Sequence, residues 1–499
     1  MRKVKIFTIF CTIFLLFSTF STTLTSFAAF SPPFEIHSDG VYMVNLDTDI
    51  VVVSKNADKM MYPCSTTKIM TLLVALENVV DFTGTVSVPY ECFNEFHVGN
   101  PNYSGVSNAE IQPLQGNLTY QDCMYAMMLP SACEAANILA YNVGGSLEHF
   151  TDMMNETAAK IGCKNTHFAN AHGLFNENNY TTAYDMYLIT RYAVDNYPGF
   201  MRICNAYAYN MPPNSVHPDG YEIYNTNELM KSTSQYYCEG VKGVKTGSIP
   251  NYYFKKDGTW SEEPGSRAFV TTAERNGYNY LLVTMGAPIL NEEGRLLDTN
   301  YAFADHINLY NWAFSEFEYA QVIGKNQQVM QVDVEKGENA DKVGIVTTED
   351  FYTLMPKSLD PTAIQQIKPV VETLTAPVEK GTSVGVLELR LNGETLTTIP
   401  LVTESDIALD AVATYRDKLV NILKSPGTIA AIVGLVVLVA ALVTIRTVNK
   451  NKRRKAAEMQ RRRKIQMAPK NNRSYKNYKS MSKSLNKSSS QNNRNIKRK

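Results

Sequence analysis

Hydrophobic positions divide most of the chain into a helical block enclosed by two groups of strands. Strand-like apolar runs occur early and late, at 41–46, 50–53, 268–273 and 280–285. Between them, apolar residues recur at helical spacing in five segments, at 65–76, 120–129, 134–141, 149–161 and 182–194, and a last helix is predicted at 302–317. This order predicts an α+β fold in which one antiparallel sheet is assembled from both ends of the sequence and a helical subdomain is inserted.

A different pattern follows from 317 to 403. Short β-rich runs alternate with turn residues, Asn392-Gly393 is a strong hairpin signal, and helical periodicity is almost absent. The pattern predicts a small all-β domain after a larger domain of mixed helices and strands at 29–316. Residues 404–426 are typical of an amphipathic connector.

Both ends of the chain carry membrane-related signals. Basic residues precede a short apolar run at 6–17, and Ser26-Phe27-Ala28 offers a small-x-small cleavage site, so residues 1–28 are predicted to be a signal peptide. An uncleaved anchor is the alternative. An uncharged apolar stretch at 427–445 is long enough to span a bilayer, and a basic cluster follows at once. We therefore expect a single-pass protein of the cell membrane, with 29–424 outside the cell and a disordered cytoplasmic tail at 446–499.

The formal net charge of zero averages two opposite segments. About twenty Lys and Arg follow Ile445 against one acidic residue, Glu458, so the preceding exported part is strongly acidic. That charge argues against nucleic-acid binding, and the tail is interpreted as a topology signal and a patch for anionic lipid. Seven cysteines follow the signal without a CxxC pair, which favours scattered buried thiols over zinc ligands or a disulfide framework. A bridge between Cys64 and Cys133 is left open.

The stretch Tyr62–Thr71 carries the first chemical signal. Pro63 ends an extended segment, Ser65 begins a helical pattern, and Lys68 lies one turn further on the same face. A lysine whose pKa is lowered can take the proton of a serine hydroxyl and activate it as a nucleophile. The alternative is that Ser65 is only a helix cap.

Three motifs in order place this stretch in a family. Ser65-x-x-Lys68, Ser131-x-Cys133 and Lys245-Thr246-Gly247 resemble the S-x-x-K, S-D-N and K-T-G motifs of penicillin-recognising serine enzymes. Further sequence segments narrow the resemblance to the low-molecular-mass penicillin-binding proteins that are D-alanyl-D-alanine carboxypeptidases. These segments are YPCSTTKIMT at 62–71, AHGL at 171–174, NTNEL at 225–229, GVKGVKTG at 240–247 and APVEKG at 376–381.

The resemblance implies an enzyme that trims peptidoglycan stem peptides ending in D-Ala-D-Ala and is acylated by β-lactam antibiotics. Ser65 would be the nucleophile, Lys68 its base and Ser131 a proton relay. Lys245, Thr246 and Gly247 would bind the substrate, and the amides of Ser65 and Ser248 would form the oxyanion hole. No metal or cofactor is implied.

Two departures from the family pattern leave other functions open. Cys133 stands where the family has an Asn that orients the lysine and the substrate, and a thiol cannot supply both functions of an amide. The residues after Ser248 also differ and include an insertion. A catalytically weak envelope scaffold and, less favoured, a β-lactamase are therefore alternatives. A Ser–His triad through His172 is disfavoured, because the family's base is lysine.

Overall fold

A computed structural model describes residues 30–96, 106–249, 265–391 and 393–466. The predicted signal peptide and residues 250–264, where the sequence departs from the family pattern, lie outside these residues. The helices of the first 408 residues are α1 (Thr67–Asn78), α2 (Tyr120–Met128), α3 (Cys133–Gly144), α4 (Leu147–Ile161), α5 (Ala183–Asn196), α6 (Pro198–Cys204) and α7 (Tyr301–Glu316). The sequence pattern missed the short α6 and ended the last helix one residue late.

Seven strands belong to the same part of the chain. They are β1 (Gly40–Asn45), β2 (Val51–Lys55), β3 (Ala208–Met211), β4 (Tyr221–Tyr224), β5 (Val241–Ile249), β6 (Ser266–Arg275) and β7 (Tyr278–Pro288). Five of them form an antiparallel sheet in the order β2-β1-β7-β6-β5, and β3 and β4 form a separate hairpin. The predicted sheet built from both ends of the sequence, with helices inserted between its parts, is confirmed.

Side chains of the sheet alternate between two hydrophobic cores. On β1, Tyr42 and Val44 pack into the core of α1–α6, whereas Val41 and Met43 pack into the core around α7. This alternation follows from the period of two in a strand, and burial of both faces explains why β1 is apolar at successive positions. Helix α1 lies inside the first core and is buried at every residue from Thr67 to Leu76.

A β-rich part follows from Phe317. Its strands are β8 (Phe317–Ile323), β9 (Gln328–Glu335), β10 (Lys342–Thr347), β11 (Phe351–Pro356), β12 (Gln365–Ile367), β13 (Thr373–Thr375), β14 (Ser383–Leu391) and β15 (Glu394–Thr403). Six of them form one sheet around a core of aliphatic residues, and β8 pairs with β11. The predicted all-β domain is confirmed. One residue of its predicted hairpin turn, Asn392, lies outside the described residues.

Two further helices form a second unit, Leu409–Lys499. Helix α8 (Ala411–Lys424) exposes apolar side chains such as Val412, Tyr415 and Leu419. Helix α9 (Pro426–Gln466) contains the one segment, among the described residues, that is long and apolar enough to cross a membrane. It continues well past Ile445, so the prediction of a disordered tail was wrong for residues 446–466. These residues are good helix formers, and they extend a helix that has already been nucleated.

A buried polar network joins α7 to the sheet. His306 is fully buried, with Nδ1 2.9 Å from Thr271 Oγ1 and Nε2 3.0 Å from Thr284 Oγ1. Tyr310 completes the network by donating to the carbonyl of Thr271. Burial lowers the pKa of His306 to about 3, so the folded protein holds a neutral imidazole.

Replacing His306 with Gln tests this network. Because the unfolded chain binds a proton near pH 6.5 and the folded chain does not, the stability that depends on neutral His306 is present above pH 6.5 and is lost progressively towards pH 3. We expect the difference in unfolding free energy between wild type and the variant to fall by roughly 2 kcal/mol from pH 6.5 to pH 5. Denaturant unfolding of the detergent-solubilised chain at several pH values measures it.

Replacement of the exposed His149 on α4 with Gln is the control for loss of an imidazole outside the buried network. A pH-independent difference for the His306 variant would contradict the interpretation.

Candidate active site

Ser65 lies in a constrained turn directly before α1. Cys64 has φ 53°, in the left-handed region that a side chain disfavours, and Cys64–Thr66 form one turn of 3₁₀-helix. The Thr66 amide and hydroxyl both donate to the carbonyl of Pro63, which fixes the turn from its other end. Strained backbone of this kind is typical of functional sites, and here it presents Ser65 to a cavity.

Lys68 is completely buried on α1, one helical turn from Ser65. Its ammonium group lies 3.1 Å from Ser65 Oγ and 3.6 Å from Cys133 Sγ, and it donates to the carbonyl of His172. Burial lowers the pKa of Lys68, although Cys133 and Glu134 oppose the shift. A neutral amine at this distance from Oγ can accept the hydroxyl proton.

Ser131 lies in the short connection between α2 and α3, and Cys133 is the first residue of α3. Ser131 has φ 71°, and its buried Oγ has no hydrogen-bond partner within the described residues, although it lines the same cavity as Ser65. Cys133 begins α3, and its amide donates to the carbonyl of Ser107 over 2.8 Å. Its pKa is raised by burial, so the group beside Lys68 is a protonated thiol. All seven cysteines in the described part of the chain are free, which excludes the Cys64–Cys133 bridge.

Strand β5 brings the third motif against the Ser65 turn. A Cβ atom on Gly247 would lie 2.9 Å from Cys64 Cβ and 3.2 Å from the Ser65 amide nitrogen. Only glycine permits this approach of strand to turn. Ser248 follows on the strand and lines the cavity with Gly247.

Lys245 is placed differently from its neighbours. It is 2% exposed, its ammonium group donates to the carbonyl of Thr246 over 2.9 Å, and it lies 3.5 Å from the hydroxyl of Thr246. Burial lowers its pKa well below the usual value, and the charge of Lys68 adds to the effect. Thr246 does face the cavity, where its hydroxyl lies 2.6 Å from that of Thr226.

The cavity has a volume of about 360 Å³ and contains residues that the motifs did not indicate. Arg267, opposite Ser248 on β6, lines it, and Arg267 Nη1 is buried without a hydrogen-bond partner among the described residues. Asn300 Oδ1 is also buried and has no hydrogen-bond partner among the described residues. Arg267 belongs to no short motif. The available signal was its place in a strand that pairs with the K-T-G strand.

His172 is not placed to act as a base. Its Nδ1 accepts from the Leu174 amide over 3.1 Å, which requires the proton to be on Nε2. That nitrogen lies 2.9 Å from Glu95 Oε1. Both ring nitrogens are therefore occupied, and the residue contributes its main-chain carbonyl to Lys68 instead.

A five-stranded antiparallel sheet, a serine at the start of a buried helix and a lysine one turn further define the class of penicillin-recognising serine enzymes. Comparison with known proteins gives the family. The family model described as D-alanyl-D-alanine carboxypeptidase matches residues 26–288, and the model described as penicillin-binding protein 5, C-terminal domain, matches residues 317–408. The chain belongs to the D-alanyl-D-alanine carboxypeptidase family, as its motifs predicted. It is therefore a hydrolase, a carboxypeptidase of the D-Ala-D-Ala type.

Individual relatives agree with this assignment. The chain is 25% identical over 373 residues to the D-alanyl-D-alanine carboxypeptidase DacF of Bacillus subtilis, which covers 75% of this chain and 86% of the relative. It is 31% identical over 229 residues to a D-alanyl-D-alanine carboxypeptidase of a Streptomyces species, covering 42% of this chain and 72% of the relative. The solved structure of the carboxypeptidase DacD from Francisella tularensis has the same fold, with a TM-score of 0.56 at 20% identity, covering 78% of this chain and 99% of the other.

Substituting Gly247 with Ala tests the contact between β5 and the nucleophile turn. Because the added Cβ would displace Cys64 and Ser65, we expect acylation by a fluorescent penicillin to slow about a hundredfold while the melting temperature changes little. Gly116 is a matched control, since a Cβ there meets nothing within 4 Å. An acylation rate like that of wild type in the Gly247 variant would contradict the proposed geometry.

Proposed function

We propose that the chain hydrolyses the terminal D-Ala-D-Ala bond of peptidoglycan stem peptides through an acyl-enzyme on Ser65. One observation carries this proposal. Ser65 Oγ lies 3.1 Å from the nitrogen of a buried lysine whose pKa is lowered. This pair supplies both the nucleophile and its base without a further group.

The reaction then follows in two halves. Ser65 Oγ attacks the carbonyl carbon of the penultimate D-alanine, and its proton passes to Lys68 Nζ. The amides of Ser65 and Ser248 stabilise the oxyanion that develops. The C–N bond breaks, the departing amine of D-alanine takes a proton through Ser131, and an ester remains on Ser65. Water cleaves this ester and restores the enzyme.

The Oγ of Ser131, which has no hydrogen-bond partner in the described part of the chain, supports its role as the relay. A buried hydroxyl without a hydrogen-bond partner destabilises the fold unless a ligand supplies that partner. The Ser131 hydroxyl lines the cavity of Ser65, where a ligand can reach it. The departing amine would supply the missing partner.

In this proposal, Thr246 and Arg267 bind the terminal carboxylate of the substrate. Both line the cavity, and Arg267 Nη1, which the described residues leave without a partner, can form a charge-assisted hydrogen bond with a carboxylate. Lys245 Nζ donates to the carbonyl of Thr246 over 2.9 Å and lies 3.5 Å from its hydroxyl, so it would support Thr246 in this role. This changes the role expected for Lys245 from direct ligand to support.

We further propose the topology of the mature protein. The signal at 1–28 would direct export of 29–403, the connector and the span at 427–445 would anchor it to the membrane, and the basic tail would remain in the cytoplasm. The apolar segment of α9 and the basic residues that follow it support this arrangement. β-Lactams would acylate Ser65 by the same route as the substrate.

Replacement of Ser65 with Ala tests the nucleophile. The full-length chain in detergent should release D-alanine from a diacyl-Lys-D-Ala-D-Ala peptide, and the variant should be slower by about 10⁴ or more, because the remaining site lacks the acyl-enzyme route. Labelling by a fluorescent penicillin should also disappear.

The pattern of outcomes separates the alternatives. Labelling without release of D-alanine would indicate a penicillin-binding scaffold, and rapid hydrolysis of the penicillin would indicate a β-lactamase. A folded wild-type chain that shows neither labelling nor release would overturn the proposal.

Replacement of Arg267 with Ala tests carboxylate recognition. Wild type should prefer a peptide ending in a free carboxylate over the same peptide with a C-terminal amide. The variant should lose about tenfold to a hundredfold of this preference, the effect of one hydrogen bond to a charged group. The ratio of kcat/KM for the two peptides measures it, and the exposed Arg295, replaced with Ala, is the control. An unchanged ratio would remove Arg267 from the carboxylate site.

A further inference from the structure

Glu134 is a buried carboxylate that neither the motifs nor the proposed reaction uses. It is 3% exposed, it follows Cys133 on α3, and its Oε2 has no hydrogen-bond partner among the described residues. An ionisable group buried in this way needs a compensating role, since burial of a carboxylate is costly.

The other carboxylate oxygen holds the wall of the catalytic cavity. Glu134 Oε1 accepts from the Ala109 amide over 2.6 Å, and the Ile111 amide also faces the carboxylate. Two residues before Ala109, Ser107 lines the cavity, and its carbonyl accepts from the Cys133 amide over 2.8 Å. Cys133 and Glu134, which are adjacent on α3, thus form hydrogen bonds with two residues of the segment 107–109.

The opposite side of that segment is held by the β3–β4 hairpin. Tyr221 donates its hydroxyl proton to the carbonyl of Ala109, and Asn214 donates to the carbonyl of Glu110 over 3.0 Å. The Ala109 residue is therefore bonded through its amide to α3 and through its carbonyl to the hairpin. Without the carboxylate, the segment would keep its hairpin contacts but lose the side-chain contact that ties it to the second motif.

The same carboxylate is electrostatically coupled to the base. Its charge favours the ammonium form of Lys68, and Lys68 in turn favours the ionised form of Glu134. Burial raises the pKa of Glu134 to about 7. Among the described residues, Cys133 on its own helix, Cys123 on α2 and Tyr221 on β4 also interact with it. Burial raises the pKa of each of these three groups, which therefore stay neutral near pH 7.

We propose that Glu134 is a positioning residue of this active site. It holds the segment 107–109, which lines the cavity at Ser107, against the second motif, and it places a negative charge near Lys68. This role rests on the proposed Ser65–Lys68 chemistry. It touches no reacting atom and acts only through Lys68 and the cavity wall.

Two variants of the full-length chain in detergent separate the two parts of the role. Glu134→Gln keeps an oxygen to accept from Ala109 but removes the charge, whereas Glu134→Ala removes both. The rate of Ser65 acylation by a fluorescent penicillin is measured from pH 5 to pH 9, with kcat and KM for the D-Ala-D-Ala peptide beside it. Asp185→Asn is the matched control, since Asp185 is also buried and ties the Asn165 amide to α5.

We expect the Ala variant to lose at least tenfold in acylation rate at the optimum pH and the Gln variant to remain within about threefold of wild type. The pH of half-maximal acylation should fall in the Gln variant, because Lys68 loses a neighbouring negative charge and gives up its proton more readily. The control should not change this pH.

A folded Ala variant with the wild-type rate would overturn the positioning role. An unchanged pH of half-maximal acylation in the Gln variant would overturn the electrostatic role, and this result does not depend on whether the Ala variant folds. Failure of wild type itself to be labelled would overturn the proposed function, and this inference with it.

Discussion

The site depends on the complete burial of Lys68. An exposed lysine keeps its proton at neutral pH and cannot act as a base. Helix α1 removes this obstacle because it is apolar on nearly every face and is enclosed by the sheet and the other helices. The hydrophobic effect that stabilises the first core therefore also lowers the pKa of Lys68 and so sets its chemistry.

A buried amine must also be held by other groups, and this requirement joins distant parts of the chain. The three partners of Lys68 come from the turn before α1, the start of α3 and the loop at His172. Gly173, directly after His172, is part of the same constraint, since a Cβ there would lie 1.9 Å from the Cys64 carbonyl oxygen. Gly173 and Gly247 thus let a loop and a strand close on the nucleophile turn from two sides.

The sequence was sufficient for the fold and for the parts of the site that local geometry determines. Ser65 and Lys68 are three residues apart on a helical pattern, so their contact follows from the helix itself. The deep burial of Lys245 did not follow, because a strand pattern gives alternation but not which alternate side chain is covered. Arg267 and Glu134 were not indicated for a related reason. The observations that single them out are long-range contacts and atoms without a partner among the described residues, which no local spacing encodes.

The departure at Cys133 has a definite physical consequence. The sulfur accepts from Lys68 over 3.6 Å, and the thiol lies 3.9 Å from the carbonyl oxygen of Ser131, to which it can donate. The thiol can therefore replace the acceptor function of the family's Asn toward the lysine, but it has no second donor to offer a substrate. Lys68 keeps three partners in spite of this exchange. In the proposed mechanism the activation of Ser65 would therefore survive, and the loss of the amide donor would bear on substrate recognition.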